Sequence, residues 1–367
     1  MATTSARRLV AGFLLGALAF VAAVPLLGTW RRGALPASAS TAFDVDPGLL
    51  DAGGLLRRAG VSTRPRQVVV GKDGWLFPGD QYAQALSVKR QAASAADLDA
   101  AQRIADATRA WRQWLAGAGV RDYWVLVCAD KDSVYPDRLP DWDRPAGGSA
   151  MDATMARADP AVVVDSRPAL RRERAFDGPP LYARTDSHWT ARGAWAAYRA
   201  LAQAAARTSA TPAWLHDGDV GFAAIDLPEG DLGHILPSAH PARDTGARAT
   251  FAGAWDDGRT QGDAATGVAV SAGSLGIAQP LRHALRIVSP HALNRRRLLW
   301  LQDSTGAALL PYVAATFAEV IEIDRASTTP AQWGALVRSL RPDAVLVSVV
   351  ERNARADWFQ ALPPSAQ

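Results

Sequence analysis

"LLWLQDSTGAALLPYV", residues 298–313, joins an unbroken apolar run to a polar turn and then to a second apolar stretch. The run Arg297–Asp303 has the length and composition of a strand covered on both faces. Residues Thr305–Phe317 follow with helical character. A serine at such a strand-to-helix junction, here Ser304, lies at the carboxyl edge of the sheet, where ligands bind in open α/β folds.

Four further apolar runs have the same buried-strand character: "YWVLVC" (123–128), "AVVVD" (161–165), "EVIEID" (319–324) and "DAVLVSVV" (343–350). A long helix is expected ahead of them at about 97–116, and further helical stretches lie between them at 191–207 and 331–340. Ser94 and Asp97 form a capping box for the first. Strands alternating with helices predict a mostly parallel sheet in an α/β three-layer sandwich. "RQVVVGKDGWLF" (66–77) carries a hairpin signal around Gly-Lys-Asp-Gly. Residues 208–296 break the rhythm with Gly, Pro, Asp and short strand-like pieces such as "ARATFAG" and "GVAVSAG". They are expected to form an insertion with loops and a small β-element, between the helix after His188 and the third strand.

The chain has 367 residues and a net charge of +4. All of that excess lies at the N-terminus: without Arg7, Arg8, Arg31 and Arg32 the chain carries 36 basic and 36 acidic residues. Its composition therefore argues for no polyanion partner such as nucleic acid. Between the two arginine pairs, Leu9 to Gly28 is free of charge and about long enough to span a bilayer as a helix. Ala37-Ser38-Ala39 resembles a signal-peptidase site, but the apolar run is long for a signal peptide and Arg31 and Arg32 intervene. The expectation is an uncleaved signal anchor over residues 1–33, a linker over 34–62 and an exported domain over 63–367. With the short tail inside, this gives a single-pass protein of the inner membrane with its domain in the periplasm. The lone cysteine, Cys128, ends a core strand and allows no intrachain disulfide.

Asp303-Ser304-Thr305 alone reads as well as an N-cap as it does as a nucleophile. A nucleophile needs a base. Of the six histidines, His216, His240, His283 and His291 lie in loop-like contexts, and His234 beside Asp231 suits a surface or capping role. His188 differs, because Asp186 precedes it by two residues in an extended segment, and positions i and i+2 of an extended chain point the same way. One carboxylate can thus orient the ring while the other ring nitrogen faces a serine. A metal site built from Asp186, His188, Asp217 and Asp219 lacks any His-x-x-x-His or Cys pair. No phosphate-binding glycine motif is present, so no cofactor is implied.

"GKDGWLF" (71–77), "DKDSVYPDRLP" (130–140), "TDSHWTARGAWAAY" (185–198), "EGDLGHIL" (229–236), "LQDSTGAALLPYV" (301–313) and "VVERN" (349–353) occur in this order. As a set they resemble the alginate O-acetyltransferase family of the AlgX/AlgJ type, exported or membrane-anchored proteins with an SGNH-hydrolase-like fold. The resemblance implies a triad of Asp186, His188 and Ser304. It also implies O-acetylation of an exported polysaccharide, not specifically alginate, through an acetyl-serine supplied by a membrane-bound acyltransferase partner. A polysaccharide esterase with the same triad, or a non-catalytic polysaccharide-binding or assembly protein, are the alternatives. Trp189 is a candidate sugar-stacking surface, and Tyr312, Arg352 and Asn353 are weaker candidates for substrate contact. Family members usually carry Gly-Asp-Ser where this chain has Gln302-Asp303-Ser304, and glycine alone tolerates positive φ cheaply.

Overall fold

The computed structural model describes residues 52–208, 213–236, 238, 240–270 and 284–364. The apolar stretch 9–28 and its flanking arginines lie outside the described residues. Among the described residues no helix is long and apolar enough to cross a membrane. Two compact units divide the chain, Met1–Leu56 with Pro237–His240, and Arg57–Leu236 with Pro241–Gln367. A short helix, α1 (Ala52–Arg58), crosses from one to the other in sequence.

The second unit is built on a seven-stranded sheet with the order β4-β3-β11-β9-β10-β8-β7. Its strands are β3 (Asp122–Cys128), β4 (Val163–Asp165), β7 (Thr260–Asp263), β8 (Leu285–Val288), β9 (Asn294–Gln302), β10 (Phe317–Asp324) and β11 (Ala344–Val350). The five from β4 to β10 are parallel, and β8 and β7 add on antiparallel. All five apolar runs are thus strands of one sheet.

Burial on both faces explains why those runs are unbroken. Leu126, Leu298 and Trp300 face a core shared with Trp195, Tyr198 and Leu201 of α6 (Ala191–Thr208). Their neighbours Val125, Val127, Leu299 and Leu301 face the opposite core, with Trp111 and Leu115 of α2 (Ala95–Gly117) and Trp333 and Val337 of α9 (Pro330–Leu340). α2 begins at the expected Ser94–Asp97 capping box. In the second core Trp333 is 1% exposed and stacks on Trp111 with centroids 3.5 Å apart. Trp333→Ala is expected to cost about 3–5 kcal/mol of stability, from lost burial and the cavity left behind, measured by chemical denaturation.

Three features depart from expectation. Residues 305–317 are not one helix. A 3-10 turn, Ser304–Ala308, is followed by a separate short helix, α8 (Leu310–Thr316), and Phe317 already begins β10. Pro311 in the first turn of α8 suits a fresh helix start better than a helix interior. Second, residues 208–296 hold the expected small β-element, but among the described residues they also supply two strands of the main sheet. β5 (Val220–Leu227) and β6 (Asp244–Phe251) form a separate antiparallel pair, while β7 and β8 extend the main sheet. Third, Gln302 needs no glycine-like backbone. It lies in β9, paired with Asp324, and is absent from the positive-φ residues.

The hairpin of β1 (Val68–Val70) and β2 (Leu76–Pro78) turns through Asp73 and Gly74 at φ 54° and 76°. From β2, the Leu76 N–H donates to Arg184 O at 2.8 Å, which docks the hairpin on the segment before His188.

Candidate active site

The site lies at the carboxyl ends of β9, β11 and β3. It is met there by the segment leading into α6. Asp186 Oδ1 accepts from the His188 backbone N–H at 2.8 Å and lies 2.9 Å from the ring Nδ1. The expected pairing of Asp186 with His188 is therefore realised, but the segment is not extended: it bends at Ser187 and His188, and Asp186 Oδ1 takes both the backbone and the ring N–H of His188. His188 Nε2 lies 2.9 Å from Ser304 Oγ, across 116 residues of sequence. Burial alone would raise the Asp186 carboxyl. Hydrogen bonds from the His188 ring and backbone, with the imidazole's charge, outweigh it and hold the group at about 2. Asp186 is thus a carboxylate at any pH where the imidazole can act as a base.

The serine turn is braced on three sides. Asp303 Oδ1 accepts from Thr305 N–H at 3.1 Å and Thr305 Oγ–H at 2.6 Å. Asp303 Oδ2 accepts from Val350 N–H at 2.7 Å and so joins the ends of β9 and β11. Trp189 Nε1–H donates to Thr305 O at 2.9 Å and ties the histidine segment to the serine turn. Thr305 and Gly306 N–H are taken up by Asp303, whereas the Ser304 N–H has no acceptor among the described residues. Ser304 itself is exposed. The 3-10 turn is short, so the dipole of a long helix does not reach the serine; local N–H groups remain.

Two groups of charged residues frame this line. Beneath the strand ends, Glu351 accepts from Asp130 N–H and Ser133 Oγ–H, each at 2.9 Å. Lys89 donates to Asp130 at 3.2 Å and to Asp132 at 2.7 Å. Removing one partner from such a buried set leaves an uncompensated charge and is strongly destabilising. Beside the histidine, Asp231 of α7 (Asp231–Ile235) accepts from Ser187 N–H at 2.7 Å and Ser187 Oγ–H at 2.5 Å. Its Oδ2 is 3.6 Å from His188 Nδ1. Sequence reasoning weighed His234 in this segment and missed Asp231. The available signal was an acid held between two glycines in "EGDLGHIL".

Asp186, His188 and Asp231 lie close enough together to suggest a cation site. Their carboxylate oxygens already accept hydrogen bonds from Ser187 and His188, however, and a cation on the ring would compete with the hydrogen bond to Asp186 or to Ser304. Asp217 and Asp219 belong to a different neighbourhood, where they pair with Arg199 and the His216 N–H.

The remaining expected site residues separate. Trp189 is 3% exposed and pins the serine turn, so it offers no face to a sugar. Tyr312 is fully buried, with its hydroxyl donating to Ala191 O at 2.8 Å, and it packs α8 against α6 instead of reaching the cleft. Arg352 is fastened to the Asp130 carboxylate through its side chain and its N–H. Asn353 is half-buried beside it. Cys128 is buried, and burial pushes its thiol well up, as befits a core residue.

Gly230 fixes how closely α7 approaches. A Cβ there would come within 2.5 Å of Asp186 Cβ and 2.7 Å of its Cα and N. Gly230→Ala must therefore push the Asp186 backbone. We expect a loss of about 10²-fold in the rate of Ser304 modification, since misplacement of about 1 Å carries that scale of cost, together with a stability loss of about 1–3 kcal/mol from the overpacking.

Fold and site together define a class: an α/β protein of the SGNH-hydrolase-like kind, with a Ser–His–Asp line at the carboxyl edge of its sheet. The family model of the AlgX acetyltransferase SGNH hydrolase-like domain matches residues 68–258, just over half of the chain, and the chain belongs to this family. That match includes Asp186 and His188 and ends before Ser304. Among solved structures, PatB1 of Bacillus cereus is similar with a TM-score of 0.59 at 16% identity, over 80% of this chain and 98% of that one. A DHHW family protein of Eubacterium siraeum gives 0.55 at 16%, over 84% and 98%. The O-acetyltransferase domain of Pseudomonas putida AlgJ is 22% identical over 79% and 92%, with a TM-score of 0.49. At these identities the likeness is one of fold. No curated protein matches the chain.

Proposed function

We propose that this protein is an O-acetyltransferase of an exported polysaccharide, with Ser304 as nucleophile, His188 as base and Asp186 as the carboxylate that orients it. The observation that carries this reading is the hydrogen-bonded line from Ser304 Oγ to His188 Nε2 at 2.9 Å and from Nδ1 to Asp186 at 2.9 Å. Family membership supports acetyl transfer as the chemistry.

In the first half-reaction His188 takes the Ser304 proton as Oγ attacks the acetyl carbonyl of the donor. The oxyanion gathers at the free Ser304 N–H, a contact of a kind worth roughly 3–4 kcal/mol. Collapse expels the donor's leaving group, which takes the proton from His188, and leaves acetyl-Ser304. In the second half a sugar hydroxyl gives its proton to His188 as it attacks the acetyl carbon, and Ser304 Oγ leaves and takes that proton back from His188. Asp186, held ionised, stabilises the imidazolium in both halves. The uncharged stretch 9–28 would anchor the domain on the periplasmic side of the inner membrane. There cytoplasmic acetyl donors are out of reach, so a membrane-bound acyltransferase would supply the acetyl group.

The test gives the full-length chain an activated acetyl ester and an oligosaccharide and weighs the products. Acetylated oligosaccharide is the expected result. Free acetate alone assigns an esterase. Neither product, from folded protein, assigns a binding or assembly role.

A further inference from the structure

Three of the sequence motifs meet at one atom, the Nζ of Lys131. Lys131 opens α3 (Lys131–Val134) within "DKDSVYPDRLP" and is 1% exposed. Its ammonium donates to Ala183 O at 2.7 Å, Arg184 O at 2.7 Å and Asp186 O at 3.0 Å, all within or just before "TDSHW". Rings of the "GKDGWLF" hairpin face the same nitrogen, Trp75 at 4.9 Å and Phe77 at 5.6 Å. An ammonium has three N–H donors and no acceptor, and here three carbonyls take them. These carbonyls belong to an irregular segment whose last residue, Asp186, carries the carboxylate that orients His188.

We propose that Lys131 is the positioning residue that holds the Asp186–His188 segment in register with Ser304, and that it does so only as the ammonium. This rests on the triad reading above. A neutral amine would turn a lone pair toward one of the three carbonyls, and a buried carbonyl without its donor is costly. The carboxylates of Asp244 on β6, Asp186 and Asp231 on α7 favour the charge, while Arg184 opposes it. The hairpin offers only rings. On Lys131's own turn, Asp130 and Asp132 are held by Lys89 and Arg352. Burial is the largest influence and brings the group from 10.5 down to about 7. Lysine in an unfolded chain keeps its proton to higher pH, so loss of the Lys131 proton does not lower global stability. The effect falls on the alignment of the segment.

The test is the rate of Ser304 labelling by a fluorophosphonate from pH 5.5 to 9.5, on full-length wild type, Lys131→Arg and Lys131→Met. In any serine–imidazole pair the rate first climbs with pH as the imidazole loses its proton. Wild type is expected to fall again on the alkaline side, through a midpoint near about 7. Lys131→Arg, charged throughout, is expected to reach a plateau without that fall. Lys131→Met is expected to label about 10²-fold slower than the wild-type maximum, with no falling limb and native circular dichroism. The inference is overturned by a wild-type plateau or by the same falling limb in Lys131→Arg. A Lys131→Met rate within about threefold of wild type also overturns it. If Lys131→Met does not fold, the other two profiles decide. Wild type that takes no label at Ser304 overturns the triad and this inference together. Wild type that labels, with variants that copy its profile, overturns this inference alone.

Discussion

Ser304→Ala is expected to lower the turnover of an activated acetyl ester by at least about 10⁴-fold while leaving Tm unchanged. Both halves of that expectation come from the position of the side chain. Ser304 is exposed, and its hydroxyl has one partner among the described residues, His188. Truncation therefore opens no cavity, and the His188 Nε2 that it releases faces the exposed serine position. The braces of the turn belong to Asp303, Thr305 and Trp189, and they remain. What disappears is the covalent route. Because nucleophile and base act as a unit, His188→Ala combined with Ser304→Ala is expected to be hardly worse than either alone. Steady-state release of p-nitrophenol from p-nitrophenyl acetate, with a thermal melt of each variant, measures both.

Asp186→Asn is expected to cost about 10²–10⁴-fold in the same assay, less than loss of the serine. The amide fits the same space but cannot fix the ring with its proton on Nδ1 or balance an imidazolium. Asp231 limits the damage, since its carboxylate is 3.6 Å from Nδ1 and is relayed by Ser187. Asp186→Asn with Asp231→Asn should therefore approach the Ser304→Ala rate. Asp186 also links the site to stability. Its value in the fold, about 2, lies below its ordinary 3.8. It stabilises the folded chain above about pH 4, and that contribution is lost as pH falls toward 2. In urea titrations the Asn variant should lose stability relative to wild type at neutral pH, and the gap should close on acidification.

The sequence made the sheet legible because buried parallel strands carry apolar residues on both faces; β3 and β11 could be read almost residue for residue, whereas β9 begins three residues earlier than its apolar run. Asp186 and His188 were legible because a spacing of two residues suffices to pair them, although a bend and not an extended chain brings them together. Ser304 was legible from its place after a strand. What escaped was set by contacts between distant segments. Trp189 and Tyr312 look like ligand-facing aromatics in sequence, but the former is drawn inward by Thr305 and the latter by Ala191. Asp231 matters only because Gly230 lets α7 press against the Asp186 backbone. The break between Ala308 and Leu310 was hidden by helix-forming alanines and leucines on both sides of it. Gln302 stood out as a departure from Gly-Asp-Ser, yet its backbone is ordinary strand, and the serine turn begins one residue later.

The most direct test of the central claim is the mass of the tryptic peptide 298–325 after fluorophosphonate treatment of the full-length chain. Ser304 is the only serine in that peptide. The account predicts one label, on Ser304, that appears in wild type and fails to appear in His188→Ala. A folded wild-type chain whose Ser304 stays unlabelled, or a label that His188→Ala acquires equally fast, would contradict it.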